Sequence, residues 1–185
     1  MTNLDNINNQ TIKKAFWTNV VGNCMLLAKE CCNKHNGINE QIFYSYYLNE
    51  TNFGQKALDK SKDIIVSQGI DQKVAEDWVY KRVIHDTVNG IKYEYKVLEM
   101  LNNIGYNLKF ASNAIDKKYA VDLISDTFAI QVKPYTYKIG NNPILNEDKK
   151  KHIKQHKEFY NKYNKKVYFI YYNYNGQIDF NDFTI

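Results

Sequence analysis

The run VYFIYYNY at positions 167–174 is strongly apolar and aromatic, and it directly follows a lysine-rich stretch. Eight residues, seven of them apolar or aromatic, read as a buried strand, which obliges the chain to supply a sheet for it to join and elements to cover it. The preceding sequence supplies both. Residues 91–104 have helical apolar spacing and end at Gly105, a natural left-handed stop. Three short strand patterns follow at about 107–111, 120–125 and 128–134. A polar loop, NNPILNEDKKK, leads into a helix at roughly 145–163 and then into the strand at 166–174. The second half thus reads α-β-β-β-α-β.

The first 90 residues have a different rhythm. Helices are expected at about 11–34, 39–50, 55–68 and 71–87, separated by the turn-like breaks GIN, TNFG and QGID. Within the last of these, Val74, Trp78, Val79, Arg82 and Val83 recur at helical spacing, so one face is buried. The expected fold is α/β (α+β): a core with a mixed sheet in residues 91–185, preceded by a helical N-terminal subdomain in 1–90, the two making one compact unit. At 185 residues with 44% hydrophobic and 24% charged content, the chain is within the size of one globular domain. No apolar run approaches the roughly 20 residues needed to cross a bilayer, and MTNLDNINNQ is too polar for a signal peptide. A cytoplasmic protein is expected, and three cysteines are too few for a disulfide framework.

The chain carries a net charge of +5, and its position matters more than its size. Residues 1–90 hold 10 basic against 10 acidic side chains, whereas 91–185 hold 15 against 10. Within 133–166 there are 10 lysines against three acids. Such a stripe attracts a polyanion through counterion release, and nucleic acid is the commonest one; the plainer reading is a solvated lysine-rich helix.

Chemistry gathers at the strand pair. Gln131 and Lys133 in FAIQVKP share one face of their strand, while Ile130 and Val132 face the other way. Asp122 in YAVDLI lies on the neighbouring strand across a short SDT turn, which places its carboxylate beside them. In the preceding helix, Ile91, Tyr95, Val97, Leu98, Leu101 and Ile104 form one broad arc, and Glu94 falls inside it. A glutamate on a core-facing stripe is costly unless it is paired or coordinates something.

At these residues the sequence resembles the PD-(D/E)XK nuclease superfamily, over about residues 92–174. In that superfamily a helical Glu, a strand Asp and a following (E/Q)-x-K tripeptide furnish the active site of an αβββαβ, restriction-endonuclease-like core. Here they correspond to Glu94, Asp122 and Gln131-Val132-Lys133. The sequence departs from the commonest pattern in having the neutral Gln131 where an acid is usual, and in having no proline before Asp122. The stretches RVIHDTVNG, YAVDLI and IQVKPYTY look more narrowly like the MjaI-like type II restriction endonucleases.

The resemblance implies a Mg²⁺-dependent endonuclease that hydrolyses phosphodiesters of double-stranded DNA, most simply as a homodimer cutting a palindrome, with a DNA methyltransferase in the same system. Asp122, the Gln131 side-chain oxygen and the Val132 carbonyl would hold Mg²⁺, with Glu94 assisting, and Lys133 would orient the attacking water. The rivals are a structure-specific resolvase or repair nuclease of the same fold, and a nucleic-acid-binding protein whose site has decayed. Lys149, Lys150, Lys151, Lys154 and Lys157, with Lys165 and Lys166 nearby, are expected to contact phosphates. With Arg82 the only arginine, base reading falls to other residues, and Tyr135, Tyr137, Lys138, Asn141 and Asn142 in PYTYKIGNNP are the candidates.

Other clusters read as packing. Cys24, Cys31, Cys32 and His35 lack the C-x2-C turn of structural zinc sites. His152 and His156, spaced i,i+4, are expected to extend the basic face. His85 beside Asp86, together with Trp17, Trp78 and the FYSYY segment, is assigned to helix contacts.

Overall fold

The computed structural model describes residues 20–185 except 142, 174, 182, 184 and 185. Residues 11–19 of the first expected helix, with Trp17, lie outside the described residues, as does Asn142. The chain divides into two units, residues 1–91 and 92–185.

The first unit is helical. Helices α1 (Cys24–His35), α2 (Glu40–Glu50), α3 (Gly54–Val66) and α4 (Gln72–Tyr80) run in sequence, and a π-helical turn, Lys81–His85, leads from α4 into α5 (Asp86–Asn103). Asn23, Asn39 and Asp71 cap α1, α2 and α4, each accepting the backbone N–H three residues on. The helix expected from residue 11 to 34 is interrupted at Gly22 and Asn23. Gly22 has φ +76°, and a Cβ there would lie 2.4 Å from the Phe53 ring. Phe43, Tyr47, Ile65, Val83, Ile84 and Ile91 are among its buried hydrophobic core. Each fully buried large side chain contributes roughly 1.5–3 kcal/mol.

The break expected near Gly90 is absent, because the helix runs straight through it. That glycine answers to packing: a Cβ would approach Met25 Cε at 3.2 Å and Sδ at 3.3 Å. The division between the units falls inside α5.

In the second unit, α5 ends before Gly105 at φ +98°, as its sequence requires. Then come β1 (Lys109–Phe110), α6 (Asn113–Tyr119), β2 (Leu123–Ile124), β3 (Phe128–Pro134), α7 (Tyr135–Ile139), α8 (Pro143–Tyr163), β4 (Lys166–Tyr172) and β5 (Ile178–Asp179). The strands lie in the order β1-β2-β3-β4-β5; β3 and β4 are parallel and every other pair is antiparallel. This is an α+β domain with a mixed sheet.

Three elements depart from the expected order. Helix α6 stands between the first two strands, capped by Ser112. Helix α7 follows β3 directly, and α8 begins inside the expected loop NNPILNEDKKK, with Pro143 at the first helical position, where its missing N–H costs nothing. The aromatic strand is not terminal, since β5 pairs with its end through Tyr171 and Tyr172.

The two faces of the sheet have separate coverings. Phe128, Ile130, Val132, Tyr168, Ile170 and Tyr172 pack with Val97 and Leu101 of α5. Ala129 and Val167 pack with Phe159 of α8 and Tyr119 of α6. Strand periodicity therefore turns Gln131 and Lys133 toward the face that α8 covers.

Candidate active site

The register of β2 on β3 pairs Leu123 with Ile130, so Asp122 stands one position further along, beside Gln131. Its backbone N–H donates to Ile130 O at 2.9 Å, and its own carbonyl accepts from Ala111 N at 2.9 Å. The side chain turns back onto the strand: Asp122 Oδ2 accepts the Val132 N–H at 2.7 Å. This hydrogen bond ties the carboxylate to the backbone of β3 at Val132, the residue between Gln131 and Lys133 in the chain. Asp122 is 5% exposed and Gln131 1%, while Lys133 is half-buried.

The approach to Asp122 is conformationally unusual. Ala120 closes α6 in the left-handed region at φ 54°, ψ 49°, a position that costs an L-residue roughly 1–2 kcal/mol. Tyr119 and Val121 on either side are buried against Ala129 and Phe159, which holds the turn in place.

Gln131 Oε1 is buried and has no hydrogen-bond partner among the described residues. A buried amide oxygen left so costs roughly 1–3 kcal/mol, which makes it a natural place for a ligand or water to bind. Glu94 is 3% exposed on α5. It shares a helix face with Val97 and Leu101, whose apolar contacts are with the Ile130 and Val132 side of the sheet. Asp122, Gln131, Val132 and Lys133 are therefore brought together, and Glu94 is held in the buried face of α5. Among the described residues no three His, Cys, Asp or Glu side chains cluster to hold a metal; the amide at 131 leaves fewer acids than the commonest pattern.

A family model, that of the MjaI restriction endonuclease, matches residues 2–180. The chain belongs to the MjaI restriction endonuclease family. Membership makes it a type II restriction nuclease that binds DNA, and the match takes in both units. No curated protein and no solved structure matches the chain.

Around the strand pair of Asp122 and Gln131 the basic residues divide into two groups. Lys150, Lys151, Lys154 and Lys157 are exposed along α8. Lys149 instead donates to the carbonyls of Lys138 (3.1 Å) and Gly140 (2.6 Å), closing the turn between α7 and α8. Lys165 donates to Ser125 O at 2.8 Å, and Lys166 lies 4.5 Å over the Tyr168 ring. The segment after β3 divides in the same way. Tyr135 and Asn141 are exposed, but Tyr137 is 8% exposed, and its hydroxyl is 2.8 Å from His152 Nδ1. Lys138 is 3.5 Å from Asp179 and 5.0 Å over the Tyr171 ring.

The sheet-facing side of α8 differs from its expected character. His152 and His156 do not extend the basic face: they turn toward the sheet, His156 lying 5.0 Å from the Phe169 ring with Nε2 3.2 Å from Ala120 O. Burial, reinforced by the Lys133 charge, pushes His156 down to about 4, so the ring is neutral at pH 7. The signal for this is the spacing His152, His156, Phe159, Tyr163, an inward helical stripe with histidines in apolar places. Burial also pushes the Cys24 and Cys31 thiols up to about 11, which suits packing rather than metal binding. His85 sits between Glu40 (2.8 Å) and Asn89 (2.9 Å), a bond between helices. Among the described residues no helix is long and apolar enough to cross a membrane.

Proposed function

We infer that this restriction endonuclease cleaves double-stranded DNA in a Mg²⁺-dependent reaction at Asp122, Gln131 and Lys133, on a PD-(D/E)XK core. The observation that carries the reading is the buried, unpartnered Gln131 Oε1 beside a carboxylate anchored to Val132 N–H. A carboxylate, an amide oxygen and a backbone carbonyl are hard oxygen donors of the kind Mg²⁺ prefers, so these residues fit the ion. Asp122, Gln131 and the Val132 carbonyl would hold it. Bound there, Mg²⁺ would neutralise phosphate charge and help a water ionise.

The remaining work falls to the chain. Val132 N–H keeps one Asp122 oxygen directed at β3. Lys133, on the same strand face as Gln131, supplies a positive charge to the scissile phosphate and orients the attacking water. The exposed lysines of α8 hold the backbone of the duplex, and Tyr135 and Asn141 are its exposed candidates for reading bases. Residues 1–90 serve to pair two copies and to clasp the duplex, since two-fold-related sites cut a palindrome most simply. A methyltransferase would protect the same sites in the host.

The test is cleavage of a mixed DNA panel with and without Mg²⁺. Discrete bands from duplex DNA, lost in Asp122→Ala, Lys133→Ala and Gln131→Ala but kept in Gln131→Glu, support the reading. Wild-type rates in Asp122→Ala and Lys133→Ala overturn it; cuts confined to junctions point to a resolvase, and salt-sensitive binding without cuts to an inactive binder.

A further inference from the structure

Helix α8 grips the segment that leads to Asp122 at three points. Gln155 Nε2 donates to Lys118 O at 2.8 Å, His156 Nε2 is 3.2 Å from Ala120 O, and the rings of Phe159 and Tyr163 meet Tyr119 edge-on at 5.5 and 5.8 Å. A carbonyl oxygen only accepts, so His156 carries its proton on Nε2 and donates. The carbonyl it holds belongs to Ala120, whose left-handed backbone persists only because its surroundings impose it. Two residues on, Asp122 is committed through its N–H to Ile130 O and through Oδ2 to Val132 N–H.

We propose that His156 is a positioning residue for Asp122: its Nε2–H fixes the Ala120 carbonyl, and with it the turn that delivers the carboxylate to β3. Groups that orient a reacting residue in this way are commonly worth roughly 10- to 100-fold in activity. The role rests on the assignment of Asp122 to the reaction, but the orientation itself is visible without metal or DNA. In metal-free protein, the bond from Val132 N–H to Asp122 Oδ2 is expected to protect that amide from hydrogen exchange.

Two variants separate the outcomes. His156→Phe keeps a ring against Phe169 and removes the donor, while His156→Gln restores an N–H. In His156→Phe the Val132 amide is expected to exchange at least about tenfold faster while the Ile170 amide, deep in the same sheet, is unchanged. In the same variant kcat for duplex cleavage falls roughly 10- to 100-fold with KM within about twofold, and His156→Gln recovers most of both losses. Exchange at Val132 that stays within about twofold of wild type in His156→Phe, a matching rise at Ile170, or no recovery in His156→Gln overturns the proposal. Asp122→Ala is the control for the underlying reading. If it cleaves at the wild-type rate, the site assignment fails, while the exchange measurement still decides whether His156 orients Asp122.

Discussion

Residues 20–91 and 92–185 are built on different terms. In the first, the only buried polar residues among those described are Ser61 and Thr87, and Ser61 satisfies itself by donating to Ala57 O at 2.7 Å. The second buries Glu94, Asp122, Gln131 and Ser125. Ser125 is explained by its turn, where it accepts from Phe128 N and donates to Phe128 O. The other three are two carboxylates and an amide, costly groups to bury: Asp122 Oδ2 accepts the Val132 N–H, while Gln131 Oε1 has no hydrogen-bond partner among the described residues. The first unit therefore devotes its described interior almost entirely to packing, whereas the second buries the polar groups of the proposed site.

The contrast is tested most strongly by Asp122→Asn set against Phe43→Ala. The asparagine oxygen still accepts Val132 N–H, so cleavage should fall by roughly 10² to 10⁴-fold while thermal unfolding moves by only a few degrees. Phe43→Ala should do the reverse, costing about 3–5 kcal/mol in denaturant unfolding and leaving the rate per folded molecule unchanged. If both variants lose stability and activity in parallel, the contrast fails.

A smaller effect is expected in acid. His156 has a folded pKa near 4 against an ordinary 6.5, so the native state binds fewer protons than the unfolded one. Its contribution is full above pH 6.5 and is lost as the pH falls toward 4, about 3 kcal/mol in metal-free protein. Urea unfolding of wild type and His156→Gln across that range should show the slope in the first and a flatter line in the second.

The charge asymmetry gives the next test. Replacing exposed Lys150, Lys151, Lys154 and Lys157 with glutamine should reduce the slope of log affinity for DNA against log salt by about 0.9 for each phosphate that is no longer neutralised. Lys149→Gln should act instead on stability, because its ammonium closes a turn. The least effect belongs to Gly90→Ala: helix propensity favours alanine by about 1 kcal/mol, and the close approach of Met25 takes back part of it, leaving a gain below that figure in a melting curve.

Individual elements show how far sequence reasoning reaches. Asn39 and Asp71 mark helix starts because a cap is local chemistry, and Gly105 marks a helix end for the same reason. Gly90 misleads because a helix-breaking propensity of about 1 kcal/mol is small beside tertiary packing, and the residue it accommodates, Met25, is far away in sequence. Helix α6 escapes a reading by periodicity because NAIDKKY is short and polar, and only burial of Tyr119 against Phe159 and Tyr163 explains its persistence. The two histidines of α8 read as wet-face residues because a histidine suits either side, and charge composition favours the basic one.

The sequence by itself determined the strand pair and the lysine-rich helix and aromatic strand that follow it, the alternation that separates Gln131 and Lys133 from Ile130 and Val132, and the eight-residue interval that sets Asp122 beside them. These depend on backbone periodicity and on a hairpin short enough to have one register. Only the tertiary structure decided which helix covers which face, that one oxygen of Asp122 is held by Val132 N–H, and that His156 lies neutral against Ala120 O. Such contacts join residues 10 to 36 positions apart, where no local propensity reaches and only the packed sheet brings donor to acceptor.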